Sequence, residues 1–166
     1  DSRADPSDIF NAAPGQLFVV RNVASLVPPY ETTPGLHGVS AALEFAVVAL
    51  KVKHILVMGH GGCGGVSASL SAAKQEPFGQ FVAPWVSLLE EARDEVLAKD
   101  PGDPNTALEF AGVGTSLKNL MTFPFVREAV EAGSLSLHGA WFAIASGELH
   151  WRKPETGDFE IVPHQD

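Results

Sequence analysis

The stretch His54-Ile55-Leu56-Val57-Met58-Gly59-His60-Gly61-Gly62-Cys63-Gly64-Gly65 constrains the fold of this chain more than any other. Its apolar opening reads as a buried strand, its glycines as a tight turn, and the small residues from Cys63 to Lys74 as a helix. A strand that feeds a helix through a short turn is the repeating unit of α/β sheets, and sites form where such strands end. The turn carries His60 and, three residues on, Cys63, the only cysteine in the chain. An imidazole and a thiolate at that spacing can reach one metal ion, and zinc prefers both donors. The same letters also allow a plainer reading, with Cys63 as a small apolar side chain at a helix start and His60 as a cap on the turn.

The flanking sequence repeats the pattern of strands and helices. Leu17-Phe18-Val19-Val20, between Pro14-Gly15 and Arg21-Asn22, predicts a buried strand. From Val39 to Val52, the apolar residues Leu43, Ala46, Val47 and Leu50 recur at helical spacing, with Ser40 as the expected cap. Phe81 to Lys99 predicts one longer amphipathic helix, with Trp85, Leu88, Leu89, Ala92 and Val96 on a stripe that reads as core or interface. After Pro101-Gly102-Asp103-Pro104, Thr106 followed by Glu109 resembles a capping box opening a helix to about Met121. Phe125 to Ala132 predicts another helix, stopped by Gly133. Leu135 to Ile144 and Glu148 to Trp151 predict one or two strands around a turn at Ser146-Gly147. The expectation is one α/β domain over residues 1–166, with a mostly parallel central sheet flanked by helices.

Charge narrows the partners. Eleven basic residues against 20 acidic ones leave a formal charge of -9, and no cluster of Lys and Arg stands anywhere in the sequence. That balance argues against nucleic acid and against anionic membranes. No apolar run approaches the roughly 18 to 20 residues that span a bilayer, and no basic and apolar leader opens the chain. A lone cysteine excludes an intrachain disulfide and suits a reducing compartment, so the expected location is the cytoplasm.

Gly59-His60-Gly61-Gly62-Cys63-Gly64 also satisfies the GxGxxG pattern of dinucleotide-binding turns. That pattern requires a second strand ending in an acidic residue about 20 positions on, to hold a ribose hydroxyl. The sequence there is Gln80-Phe81-Val82-Ala83-Pro84-Trp85, which leads into a helix, and the turn also lacks the Lys-Ser/Thr ending of a phosphate loop. The nucleotide reading is set aside.

Asp1-Ser2-Arg3, Leu17-Phe18-Val19-Val20-Arg21-Asn22-Val23, Ser40-Ala41-Ala42-Leu43-Glu44-Phe45-Ala46-Val47 and the segment His54 to Gly65 follow one another in a distinctive order and spacing. Together with Leu135 to Ile144 and Gly147-Glu148-Leu149, they resemble the β-class carbonic anhydrases. The resemblance covers nearly the whole chain, and its CxDSR and HxxC motifs are specific when they occur in this order.

The resemblance implies the β-carbonic anhydrase fold and the reversible hydration of carbon dioxide to bicarbonate and a proton by a zinc-bound hydroxide. It carries His60 and Cys63 over as zinc ligands, Asp1 and Arg3 as the catalytic pair, and the backbone N–H of Gly64 as a contact for bicarbonate. In that family a second cysteine completes the protein ligands, two residues before the aspartate of CxDSR and so outside these residues; an N-terminal region containing it is expected upstream. Three protein ligands leave zinc a fourth position for water, whose pKa falls toward roughly 7. Asp1 is then expected to accept a hydrogen bond from that water while Arg3 holds its carboxylate in a bidentate pair. The implied unit is a homodimer or a tetramer. Arg21 matches an arginine that binds an inhibitory bicarbonate in some members, but Phe142 stands at the position of the tyrosine that assists it, so Arg21 is expected to pair with a carboxylate instead. His54 and His138 are expected to be structural; with His37, His150 and His164 they complete the imidazoles available to move protons. Two other functions fit the same resemblance: hydrolysis of carbonyl sulfide or carbon disulfide, and a noncatalytic homologue with an incomplete zinc site.

Overall fold

The computed structural model describes residues 3–74 and 79–163. Among the described residues, four strands form one sheet in the order β1-β2-β3-β4: β1 is His54–His60, β2 Ser136–Ala143, β3 Glu148–Arg152 and β4 Phe159–Ile161. β1 and β2 run parallel, with His54 opposite Ser136 and His60 opposite Phe142. β2 with β3 and β3 with β4 are antiparallel, so the sheet is mixed around a parallel pair. The short β4 was not expected from the sequence; it adds Phe159, which stacks on Phe110 with centroids 4.3 Å apart.

The helices are α1 (Pro6–Ile9), α2 (Gly38–Glu44), α3 (Gly64–Ala72), α4 (Val82–Val86), α5 (Glu90–Ala98), α6 (Pro104–Leu120) and α7 (Pro124–Glu131). α6 organises the rest. Leu108, Glu109, Gly112, Val113, Ser116 and Leu120 recur on its buried face at helical spacing. Leu108 joins Leu26, Cys63, Val66, Leu89 and Val96 in one apolar cluster. Val113 and Leu120 join Val57, Phe123, Val126 and Leu135 in a second. Burial of each such aliphatic side chain contributes about 1.5–3 kcal/mol, so α6 ties the start of α3 and the back of β1 to one support.

Several local expectations are corrected. The cap of α6 is Asp103, whose side chain accepts from the backbone N–H groups of Asn105 and Thr106 at 3.0 and 3.2 Å. Thr106 donates its hydroxyl to the same carboxylate, and Glu109 turns inward rather than closing a capping box. Ser40 lies inside α2, whose N-cap is His37, and α2 continues into a π-helical segment at Phe45–Ala49. The helix expected from Phe81 to Lys99 is broken: α4 gives way to a 3-10 turn at Ser87–Leu89 before α5 begins. Ser87 donates its hydroxyl to the Pro84 carbonyl at 2.8 Å, a local bond that competes with the helical ladder.

Leu17 to Val20 is not a buried strand. These four side chains are 42–49% exposed, and among the described residues the segment joins no sheet. A strand needs a neighbour to satisfy its backbone groups, and among the described residues β1 is paired with β2 alone. Leu17 to Val20 and the whole of β1 instead line one cavity of about 670 Å³.

Candidate metal centre

β1 ends on His60, and Cys63 stands at the N-cap of α3, so the turn between them decides where both side chains point. Gly62 makes the turn with φ of +67°, a conformation that glycine adopts at no steric cost. The N–H of Gly61 donates to the Phe142 carbonyl at 2.9 Å, which carries the β1–β2 ladder one residue past the strand. Gly65 is fixed by close approach instead: a Cβ there would lie 2.6 Å from Val23 Cγ1 and 3.0 Å from the Ala24 Cβ. At Gly64 the backbone is exposed, and an added Cβ would meet nothing within 4 Å.

His60 and Cys63 are both buried, 8% and 6% exposed. His60 Nδ1 lies 3.1 Å from the Gly61 carbonyl oxygen, which leaves Nε2 as the nitrogen for another partner. A hydrogen bond with the Cys63 side chain raises the His60 pKa above its ordinary value, against the opposing effect of burial. Burial pushes the Cys63 thiol up, but the His60 hydrogen bond and the N–H groups of Val66 and Gly65 together outweigh it and favour the thiolate. Dipoles at the opening of α3 act in the same direction.

Glu109 was not recognised in the sequence as part of this region. Its Oε1 accepts from the backbone N–H of Cys63 at 2.8 Å and its Oε2 from the indole N–H of Trp141 at 2.9 Å, and the residue is buried. The signal was present: Glu109, Val113, Ser116 and Leu120 follow one helical stripe, so an acidic residue stood on the apolar face.

The remaining candidates separate from this pair. Asp1 lies outside the described residues, as does His164. Arg3 is exposed in the turn that precedes α1. Arg21 pairs with a carboxylate, as expected: its Nη1 is 3.5 Å from Asp5 Oδ2, and its Nη2 donates to the Ala4 carbonyl at 3.3 Å. His54 Nδ1 and His138 Nε2 are 3.1 Å apart across the parallel pair, at the opposite end of β1 from His60. Burial and the neighbouring His54 lower the His138 pKa. His37 bonds the Thr33 carbonyl at 2.8 Å, and His150 packs edge-on against Trp141.

Among the described residues, no three His, Cys, Asp or Glu side chains converge as a metal cage. His60 and Cys63 are two adjacent donors. Both the thiolate-favouring environment of Cys63 and the carbonyl that fixes the His60 ring are what zinc asks of a ligand. The donor chemistry fits part of a zinc site.

A sequence profile of the family described as "Carbonic anhydrase" matches residues 1–149. The chain is 38% identical over 146 residues to "Beta carbonic anhydrase 5, chloroplastic" of Arabidopsis thaliana; that match covers 86% of this chain and 48% of the relative, so the chain spans about half of that protein's length. Among solved structures, the β-carbonic anhydrase CcaA superposes with a TM-score of 0.89 at 33% identity, over 99% of this chain and 75% of the other. A structure described as one of two tetrameric β-carbonic anhydrases from Sordaria macrospora gives a TM-score of 0.82 at 30% identity, over 96% of this chain and 78% of the other. With the α/β architecture and the His60–Cys63 turn already in place, these matches identify the chain as a member of the β-class carbonic anhydrase family.

Proposed function

We propose that this chain serves the reversible hydration of carbon dioxide, at a zinc ion held in part by His60 and Cys63. The observation that carries the reading is a buried imidazole and a buried thiol brought together where β1 ends and α3 begins, with the His60 ring engaged by the Gly61 carbonyl. Zinc bound there supplies Lewis acidity, lowering the pKa of a water molecule to about 7 so that a nucleophile exists at neutral pH. In the family motif a third protein ligand is a cysteine two residues before the aspartate that Asp1 matches.

The roles of the chain's own groups follow from their chemistry. His60 presents Nε2 while its Nδ1 is engaged by the Gly61 carbonyl, which sets the plane of the ring. Against the opposing effect of burial, the hydrogen bond with His60, and after it the N–H groups of Val66 and Gly65, lower the Cys63 pKa. By the family motif, Asp1 would accept a hydrogen bond from the attacking water and so turn that water's free lone pair toward the carbon of carbon dioxide. Arg3 would pair with that carboxylate through its guanidinium. Packing gives no reason for glycine at position 64, and the open space above its backbone supports an approach by bicarbonate to the Gly64 N–H.

The exposed apolar side chains of Leu17 to Val20, with Phe45, Val48 and Leu50, support an assembly of copies, a homodimer or a tetramer. A reducing compartment such as the cytoplasm suits the thiolate ligands.

The test is zinc content together with stopped-flow carbon dioxide hydration on the full-length protein. About one zinc per chain with catalysed hydration is expected. Less than one zinc per several chains and no hydration at alkaline pH would remove the enzyme reading and leave a noncatalytic homologue. Faster turnover of carbonyl sulfide or carbon disulfide than of carbon dioxide would reassign the substrate.

A further inference from the structure

We propose that Glu109 is a positioning residue for the Cys63 ligand and that Trp141 locks it in place, so that a helix and a strand distant in sequence set the geometry of the metal-binding turn. The inference rests on the zinc reading of His60 and Cys63.

Cys63 is the N-cap of α3. In a capping box, the acidic residue at the third helical position reaches back to the N-cap's own N–H. That position here is Val66, which has no polar group to offer. Glu109 takes over the task from α6, accepting the Cys63 N–H at 2.8 Å. A backbone bond to a carboxylate restrains the peptide that carries the Cys63 side chain, and hence the direction of the sulfur.

The second oxygen explains why the arrangement is rigid. Oε2 accepts the Trp141 indole N–H at 2.9 Å, and Trp141 lies on β2 directly opposite Gly59 of β1. The indole ring fills the space beside the turn: a Cβ at Gly61 would come within 3.1 Å of Trp141 Cζ2. Both oxygens of a buried carboxylate are therefore used by donors that are themselves held in place. One of those donors belongs to a proposed zinc ligand. Outer partners of metal ligands typically change metal affinity by about 10- to 100-fold when removed.

The pattern makes a specific prediction for amide substitution. Glu109→Gln keeps the shape but offers one oxygen and one NH2 group, so either the Cys63 N–H or the Trp141 N–H must face another donor. Zinc affinity of the full-length protein, measured by competition with a chromophoric chelator, is expected to fall about 10- to 100-fold in Glu109→Gln. Trp141→Phe removes the indole donor; alone it weakens zinc by a few-fold, on the order of one lost buried hydrogen bond. Combined with Glu109→Gln it lets the amide oxygen turn to Cys63, and the double variant is expected to bind zinc more tightly than Glu109→Gln alone.

Unchanged zinc affinity in Glu109→Gln alongside a lowered melting temperature would overturn the proposal, as would a double variant that binds no better than Glu109→Gln. Should Glu109→Gln fail to fold, unchanged affinity in Trp141→Phe overturns it equally. Amide hydrogen exchange at Cys63 separates the brace from the zinc reading: slow exchange in the wild type and faster exchange in Glu109→Gln are expected whether or not zinc is bound. Equally fast exchange in both would show that Glu109 does not hold that peptide.

Discussion

His60 and Cys63 are surrounded by structure that this chain provides, while the segment from Arg3 to Val20 is mostly exposed and enters no sheet among the described residues. The two regions meet at the same cavity beside β1. On the His60 side, a ladder bond, a carbonyl on the imidazole, α6 and Trp141 all act on one turn. On the other side, Arg21 holds the chain next to Ala4 through a part-buried hydrogen bond and next to Asp5 through an exposed ion pair, which stabilises little. The His60–Cys63 turn is thus held by local and tertiary contacts while the apolar segment lining the same cavity still presents four side chains to solvent.

The largest expected effect separates the two regions most sharply. Cys63→Ser in the full-length protein removes a thiolate donor from the specified side, and zinc binding is expected to be abolished while the turn keeps its backbone bonds. Retained stoichiometric zinc with retained activity would move the metal away from this turn.

Gly65→Ala comes next, because it drives a Cβ to 2.6 Å from Val23 Cγ1, where α3 packs against the 3-10 turn Val23–Ser25. Overpacking of this kind costs about 1–3 kcal/mol, and a fall in chemical stability of that size is expected. Gly64→Ala, with nothing within 4 Å of the new Cβ, is expected to leave stability nearly unchanged. Equal destabilisation by the two substitutions would contradict the distinction drawn between adjacent glycines.

The smallest effect is expected at the opening of α6, on the exposed cap. Hydrogen bonds from the Thr106 hydroxyl, then from the N–H groups of Thr106 and Asn105, hold the Asp103 carboxyl below its ordinary pKa of 3.8. A depressed folded-state pKa contributes stability above the unfolded value, and that contribution is lost as pH falls through the folded value. The stability difference between wild type and Asp103→Ala should therefore be full at neutral pH and shrink in acid below 3.8, as denaturant unfolding at several pH values will show. A constant difference across that range would mean that the cap does not act through its charge.

Much of the fold was legible because apolar periodicity and glycine punctuation report local structure. β1, α3, α7 and β2 lie where the sequence places them, within a residue or two at their ends. The failures share a cause, since each depended on what a segment packs against. Leu17 to Val20 has strand composition but no ladder partner among the described residues. Glu109 has the spacing of a capping box with Thr106, yet Asp103 already satisfies that helix start, and burial turns Glu109 toward Cys63 and Trp141. Spacing alone offers His60 and Cys63 as candidates beside a plainer structural reading, whereas Glu109 of α6, which accepts the Cys63 N–H, and the Phe142 carbonyl of β2, which accepts the Gly61 N–H, stand far away in sequence, where no local pattern reaches.

Zinc K-edge absorption on the purified full-length protein tests the assignment of this turn most directly. A site that includes Cys63 and His60 gives a sulfur shell at about 2.3 Å together with a nitrogen shell at about 2.0–2.1 Å showing imidazole outer scattering. A spectrum with oxygen and nitrogen neighbours only, and no sulfur, would contradict it.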